Sequence, residues 1–303
     1  MYHYVRNYDL NFPFLKFLDF NNFKKQLDFF EKEYGFLTYD EWIDFSHNGV
    51  MPKIKNKIIL TFDDATYDHF QVFKELKKRK LWGIFYIPTM PYAERKILNV
   101  HKIHILIASI SGGKLLKHLK SIISDDMLDN EKIEEFNQKT YINQDNHDGV
   151  AEFKKYLNYF IFDEFIEEIL NKLSERFDVN YEFEDFYLNE SQIQQLSNNK
   201  MIIGSHSHNH KLMRKLDKNK QKREINLSFE YLSSIISLNH KTYCHPYGGM
   251  LSYNKNTLKI LDEEKVLYSF SVNSKNIEMT DIIDSKQFLP RFDCNEFRFG
   301  KAT

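Results

Sequence analysis

Cysteine, glycine and proline are all scarce, and each shortage closes off a class of protein. Two cysteines, Cys244 and Cys294, stand in 303 residues. They are too few and too far apart for a disulfide framework or a cysteine-ligated zinc site, and they suit a reducing compartment. Ten glycines and six prolines leave no low-complexity linker, so those present mark particular turns. No charge of one sign dominates. With 42 basic and 43 acidic residues the formal net charge is −1, so no global field draws nucleic acid or an anionic membrane. No apolar run reaches the roughly 18 residues that span a bilayer; "KIHILIASI" falls short. The opening "MYHYVRNYDLNF" lacks the basic region, apolar core and cleavage site of a secretory signal. The expected location is therefore the cytoplasm.

What is abundant is aromatic side chains, 27 Phe and 18 Tyr, which read as an aromatic-rich core more readily than as a sugar-stacking surface. The hydrophobic share of 42% and charged share of 28% are ordinary for a globular chain. Its length allows one large domain, and the expectation is a single domain over residues 1–303.

Periodicity gives an alternating order. "NNFKKQLDFFEKEYG" sets Phe23, Leu27, Phe30 and Tyr34 on one helical stripe, with Gly35 as a C-terminal cap. "KIILTF" (57–62) reads as a buried parallel strand. "YDHFQVFKELKKRK" follows as a helix with Phe70, Phe73 and Leu76 on one face and a basic last turn that complements its dipole. "WGIFYI" (82–87) is the next strand, which implies a right-handed parallel crossover. Residues 93–185 then change character. They are helical in pattern and rich in Lys, Glu, Asp and Asn, and they read as a helical insertion. The strand–helix rhythm resumes with "MIIG" (201–204), "NKQKREINLSFEYLSSII", "TYCHPYGG", "YNKNTLKILDEEK" and "VLYSFSV". The sum is an α/β barrel or an open parallel sheet.

Two clusters end predicted strands, where the loops of such folds build their open face. Asp63 and Asp64 close "LTFDD". Adjacent carboxylates repel each other and cost desolvation; taken alone, the pair reads more readily as one helix N-cap beside a solvated acid than as a catalytic pair. "GSHSHNH" closes the second strand with His206, His208 and His210. Neutral imidazole is the commonest ligand for zinc-like ions, and His206 and His210 meet on one ion if the segment coils into a turn. Two histidines and one aspartate make a three-ligand site with open positions, the catalytic rather than the structural arrangement. The other carboxylate stays available as a base. A third element, "YCHPYGG", is a tight turn that can aim a backbone N–H at an oxyanion.

"TFDD", "HSHNH" and "HPYGG", in this order and spacing, resemble the NodB-type polysaccharide deacetylases, carbohydrate esterases that remove N-acetyl groups from sugars. "YHYV" with "FKKQLDFFEKEYGFLTYDEW", "YLNESQIQQLSNNKMIIGSHSHNH" and "FLPRF" extend the likeness over roughly residues 1–92 and 186–295, leaving the insertion uncovered. The resemblance implies a distorted (β/α) barrel of the NodB homology type with a helical insertion at 93–185. It also implies a divalent metal, most often zinc with Co2+ or Ni2+ as alternatives, held by Asp64, His206 and His210. Asp63 is then the general base, and the backbone N–H of Tyr247 contributes to an oxyanion hole.

Two departures from the family pattern stand out. Cys244 occupies a position where many members carry an arginine that orients the base, and Arg291 of "FLPRF" is the candidate substitute. No late Leu-x-x-x-His motif supplies a general acid. His3 of the N-terminal Tyr-His pair is the candidate for that role, with His208 and His245 as competitors. The implied partner is an N-acylated amino sugar, acetyl or formyl, in a polysaccharide or a nucleotide- or lipid-linked precursor, as in surface polysaccharide biosynthesis. The alternative is a non-catalytic carbohydrate-binding or assembly protein on the same scaffold.

Overall fold

The structure is a computed structural model that describes residues 1–54, 56–136, 149–180 and 182–302. Residues 137–148 and Tyr181 of the expected insertion lie outside the described residues. The chain divides into two compact units. One comprises Met1–Asn7, Phe17–Lys96 and Phe183–Thr303; the other comprises Tyr8–Lys16 and Ile97–Glu182.

Among the described residues the first unit is built on seven short strands, β1 (Val5–Arg6), β2 (Leu18–Asp19), β3 (Thr61–Asp63), β4 (Ile84–Ile87), β5 (Ile202–Ser205), β6 (Thr242–Cys244) and β7 (Tyr268–Phe270). The last five form one all-parallel sheet in sequence order. All four residues of β4 and all four of β5 are buried, as a parallel sheet covered on both faces requires. The sheet curls into a half-barrel, and single-residue pairings span its open side. Tyr2 bridges Phe62 in parallel on one edge, and Leu289 bridges Phe270 on the other. The Cys294 N–H then donates to the carbonyl of Met1 at 3.2 Å, joining the two added segments. This is the distorted barrel of the NodB type.

Strand parity decides what fills it. Alternate residues face opposite sides. Ile84, Tyr86, Ile202, Cys244, Tyr268 and Phe270 share one interior cluster, which the helix Tyr39–Asn48 plugs with Trp42 and Phe45. Gly204 belongs to the same inward set. A Cβ there would stand 2.4 Å from the Tyr86 ring and 2.8 Å from Thr242, so only glycine leaves room for that ring. The opposite face stacks Phe62 on Phe85 at 4.7 Å and on Tyr2 at 5.2 Å. Phe23 of the helix Phe20–Glu33 closes edge-on over Tyr2. Much of the aromatic content is thus core.

Some expected boundaries shift. The strand expected over 57–62 begins only at Thr61, and Ile58 makes an isolated bridge to Phe36. Phe23, Leu27 and Phe30 are buried, whereas Tyr34 is 38% exposed. The helix has ended by then, and the Gly35 N–H turns back to the Phe30 carbonyl with φ at +72°.

The second unit is helical. Asn99–Ser109, Gly112–Ile122 and Asp163–Phe177 are its longest helices. They bury Ile103, Leu106, Leu115, Leu119, Leu170 and Leu173, with Phe153 from the helix Val150–Lys155. No helix among the described residues is long and apolar enough to cross a membrane.

Candidate active site

The C-terminal ends of β3, β5 and β6 point the same way, and parity sends Asp63, His206 and Cys244 inward together. Asp63 is 2% exposed. Arg291, on the segment beyond β7, grips both its oxygens, with Nη1 to Oδ1 at 2.9 Å and Nη2 to Oδ2 at 2.8 Å. The same guanidinium donates to Thr61 Oγ1 at 3.0 Å and to the Ser271 carbonyl at 3.2 Å. Its Nη2 also lies 3.0 Å from Cys244 Sγ. Bidentate geometry of this kind fixes both position and charge. Burial alone would raise the Asp63 pKa. Arg291 overrides it, with His206 and His3 assisting, and holds the carboxyl well below the usual carboxylate range. Burial, with Asp63 nearby, pushes the Cys244 thiol up. It therefore stays protonated and points its S–H at Asp63 Oδ2, 3.5 Å away.

Asp64 breaks the strand. Its φ is +80°, a conformation that costs free energy in a non-glycine residue and concentrates at functional sites. Its N–H donates to the Tyr86 carbonyl at 3.1 Å, which anchors the turn. The reversal carries the Asp64 carboxylate to the imidazoles, with Oδ1 3.5 Å from both His206 Nε2 and His210 Nε2. Ser207, His210 and Tyr247 also have positive φ, at 62°, 52° and 64°. The loops around these groups thus hold several strained residues.

The donor set suits a zinc-like ion. His206 Nδ1 donates to the Cys244 carbonyl at 2.9 Å, and burial lowers its pKa. The ring is neutral, and its Nε2 lone pair faces Asp64. One ligand atom from each of Asp64, His206 and His210 lies within 4.8 Å of the others. Bonds of about 2.1 Å in a tetrahedral site give donor–donor edges of about 3.4 Å, close to the two 3.5 Å separations here. Orienting a ligand histidine through a hydrogen bond on its other nitrogen is the usual design of such centres.

The remaining candidates separate. Tyr247 lies in the turn after β6, with its ring centroid 5.2 Å from that of His210. The turn is closed by Gly248 N–H to the His245 carbonyl at 3.0 Å. His3 is half-buried and runs beside β3, because the Asp63 N–H donates to the Tyr2 carbonyl at 2.9 Å. Its proximity contributes to holding the Asp63 pKa down. His208 turns away from the other two histidines and meets Thr89 Oγ1 through Nδ1 at 2.9 Å. His245 is buried, donates from Nε2 to the Gln287 carbonyl at 2.8 Å and stacks on Tyr253 at 4.2 Å. Burial takes its pKa down to about 4. Neither of these two rings is aimed at the Asp64 carboxylate.

Several supporting residues escaped the sequence reading. Thr61 shares the inward face of β3 with Asp63, a relation parity could have given. Glu224, on the helix Lys218–Ile235, receives Asn209 N–H at 2.7 Å and Asn209 Nδ2 at 2.6 Å, and so braces the histidine loop. His69, edge-on against the stacked rings of Phe62 and Phe85, donates from Nε2 to the His3 carbonyl at 2.7 Å. No sequence pattern announced those long-range ties. A cavity of about 770 Å³ is lined by Trp42, Met279 and Phe292 among others, with Thr61 and Arg291 also in its wall.

A family model described as "Polysaccharide deacetylase" matches residues 158–269, a span that holds the histidine cluster and the "HPYGG" turn but not the Asp63–Asp64 pair. No curated protein matches the chain. Among solved structures, the Streptococcus pyogenes deacetylase PplD in complex with acetate is 15% identical. That match covers 96% of this chain and 88% of that one with a TM-score of 0.57. A de-N-acetylase from Aggregatibacter actinomycetemcomitans is 12% identical, with 96% and 92% coverage and a TM-score of 0.50. At these identities the likeness is one of fold.

Proposed function

We propose, from the premise that the chain carries a polysaccharide deacetylase domain in the NodB-type fold, that it is a carbohydrate N-deacetylase. It hydrolyses the N-acyl group, acetyl or formyl, of an amino sugar in a polysaccharide or its precursor. The observation that carries this reading is the division of labour between two adjacent carboxylates. Asp64 faces His206 and His210, while both oxygens of Asp63 are held by Arg291.

Asp64, His206 and His210 hold a divalent cation, with zinc the first choice on donor chemistry. Bound there, the cation supplies Lewis acidity to the acyl carbonyl and makes water a nucleophile near neutral pH. Asp63 takes the proton of the attacking water. Arg291 keeps Asp63 ionised and orients it, and the Cys244 thiol packs against the same oxygen. The backbone N–H of Tyr247 donates to the developing oxyanion. His3 protonates the departing amine, the general-acid role that histidine fills most often.

The test is Asp63→Asn. Turnover of N-acetylated amino sugars falls by about a thousandfold or more, while zinc binding stays near the wild-type level. Activity that survives the substitution removes Asp63 from the mechanism. Acetate or formate release from a panel of N-acyl sugars by the zinc-loaded wild type separates catalysis from mere carbohydrate binding.

A further inference from the structure

Beside the metal-side loops lies a second concavity, of about 360 Å³, lined by Tyr92, Arg95, Phe183, Glu190 and Ser191 among others. Both of its flanks are tied to the candidate active site. On one side, Thr66 pairs antiparallel with Tyr187. There the Leu188 N–H also donates to the Ala65 carbonyl at 2.9 Å, so this flank is laced to the residues directly after Asp64. On the other side, the Met90 N–H donates to the His208 carbonyl at 3.0 Å and the Thr89 N–H to the Ser207 carbonyl at 3.3 Å. Tyr92 stands two residues beyond that junction.

The walls combine ring faces with polar tips. Tyr92 and Phe183 meet edge-to-face at 5.4 Å, and the Arg95 guanidinium sits 5.1 Å above the Phe183 ring. Tyr92 is 7% exposed, and its Oη is buried with no hydrogen-bond partner among the described residues. A buried hydroxyl left in that state calls for an explanation. Burial, then the neighbouring Tyr231 phenol and Glu190 carboxylate, push its pKa well up, so it remains a donor. Arg95 is already paired with Glu184, and Glu190 accepts from Tyr231. With its one guanidinium already committed to a carboxylate, the concavity keeps no spare positive charge for an anionic ligand. Aromatic faces with mixed donors and acceptors suit a neutral polyol. The volume is at the small end of ligand pockets, which run from roughly 300 to 1,000 Å³, so it takes one ring rather than a chain.

We infer that this concavity is a second sugar subsite, which takes a pyranose ring of the same glycan whose N-acyl group reaches Asp63, and the inference rests on the deacetylase reading above. Its occupant makes the enzyme favour oligomers over single sugars.

The experiment compares the zinc-loaded wild-type chain with Ser191→Trp, which fills the concavity from an exposed helix position, and with Arg95→Ala. N-acetylglucosamine oligomers from monomer to pentamer are the probes. Turnover is measured directly, and binding by calorimetry in the Asp63→Asn background. Both variants are expected to lose about tenfold in pentamer affinity and kcat/KM, through KM, with the monomer unchanged; tenfold corresponds to about 1.4 kcal/mol. Equal effects on monomer and pentamer, or no effect on either, overturn the subsite while leaving the deacetylase reading intact. A wild type that hydrolyses no N-acyl sugar defeats the deacetylase reading. The binding isotherms then still decide the subsite, and pentamer binding no tighter than monomer binding overturns it.

Discussion

Replacing Arg291 by methionine isolates the central electrostatic element. Arg291 is 5% exposed and Asp63 2%, so the pair is desolvated on both sides. Removing one partner of a buried ion pair leaves an uncompensated charge and costs about 3–5 kcal/mol. That is a large part of the roughly 5–15 kcal/mol that holds a domain folded. The sign of the pH dependence follows from the competing causes. In the wild type the Asp63 pKa lies below its unfolded value because Arg291 overrides burial. Its contribution is complete above the unfolded pKa, about 4, and is lost only in stronger acid. Without Arg291 burial governs and the folded pKa rises above the unfolded one. The variant's deficit is then largest near neutrality and shrinks as the pH falls toward 5. Urea unfolding in the presence of a chelator, followed by the fluorescence of Trp42 and Trp82 together, measures this at pH 7 and 5. The double variant Asp63→Asn with Arg291→Met removes the stranded charge and is expected to recover about 2 kcal/mol relative to Arg291→Met alone. A single variant within about 1 kcal/mol of wild type at pH 7, or a double variant with no recovery, would show that Arg291 does not govern the state of Asp63.

His210→Ala removes one of the three proposed ligands and is expected to weaken zinc binding by at least about a hundredfold, read by competition with a chromogenic chelator. His3→Gln lowers kcat on N-acetyl sugars by about a hundredfold and spares an activated aryl acetate, whose leaving group needs no proton; equal losses on both substrates would rule out an acid role. His69 and His245 are buried with pKa values lowered to about 4. The unfolded chain therefore binds the extra protons between about pH 6.5 and 4, and stability falls with pH across that window. The loss is about 2 kcal/mol for each ring between pH 7 and 5. His245→Gln should flatten the stability–pH curve by that amount, and an unchanged slope would refute the assignment.

Much of the architecture was legible because a parallel sheet writes itself plainly. Short apolar runs ending in polar clusters gave the strands and the end at which function collects. Parity and strand ends also made the meeting of "TFDD" with "HSHNH" legible. The rest depended on long-range or local backbone facts. The reach of Arg291 to Asp63 crosses 228 positions, and no periodicity encodes it; only the motif resemblance singled the residue out. The backbone reversal at Asp64, φ +80°, was invisible, because aspartate is also at home in an ordinary strand or cap. His208 was already set apart from His206 and His210 by its intermediate place on the turn, but its partner Thr89 was not legible.

That reversal also explains how two adjacent acids avoid doing the same job. In a regular strand, neighbouring side chains leave on opposite faces. Asp63 would then point into the barrel and Asp64 out of it, toward the helices. The positive φ at Asp64 turns its carboxylate to the imidazoles instead, so both acids serve one site from different directions. A cation near His206 and His210 would attract both carboxylates. Arg291 biases that competition, since a bidentate guanidinium engages both Asp63 oxygens, which on the reading proposed above leaves ligation to Asp64. Cys244 completes this arrangement by being small. A large side chain at the end of β6 would crowd the space where the Arg291 Nη2 lies 3.0 Å from sulfur. The thiol at 244 and the guanidinium at 291 are therefore two halves of one solution to holding Asp63, and a change at either position is felt at the other.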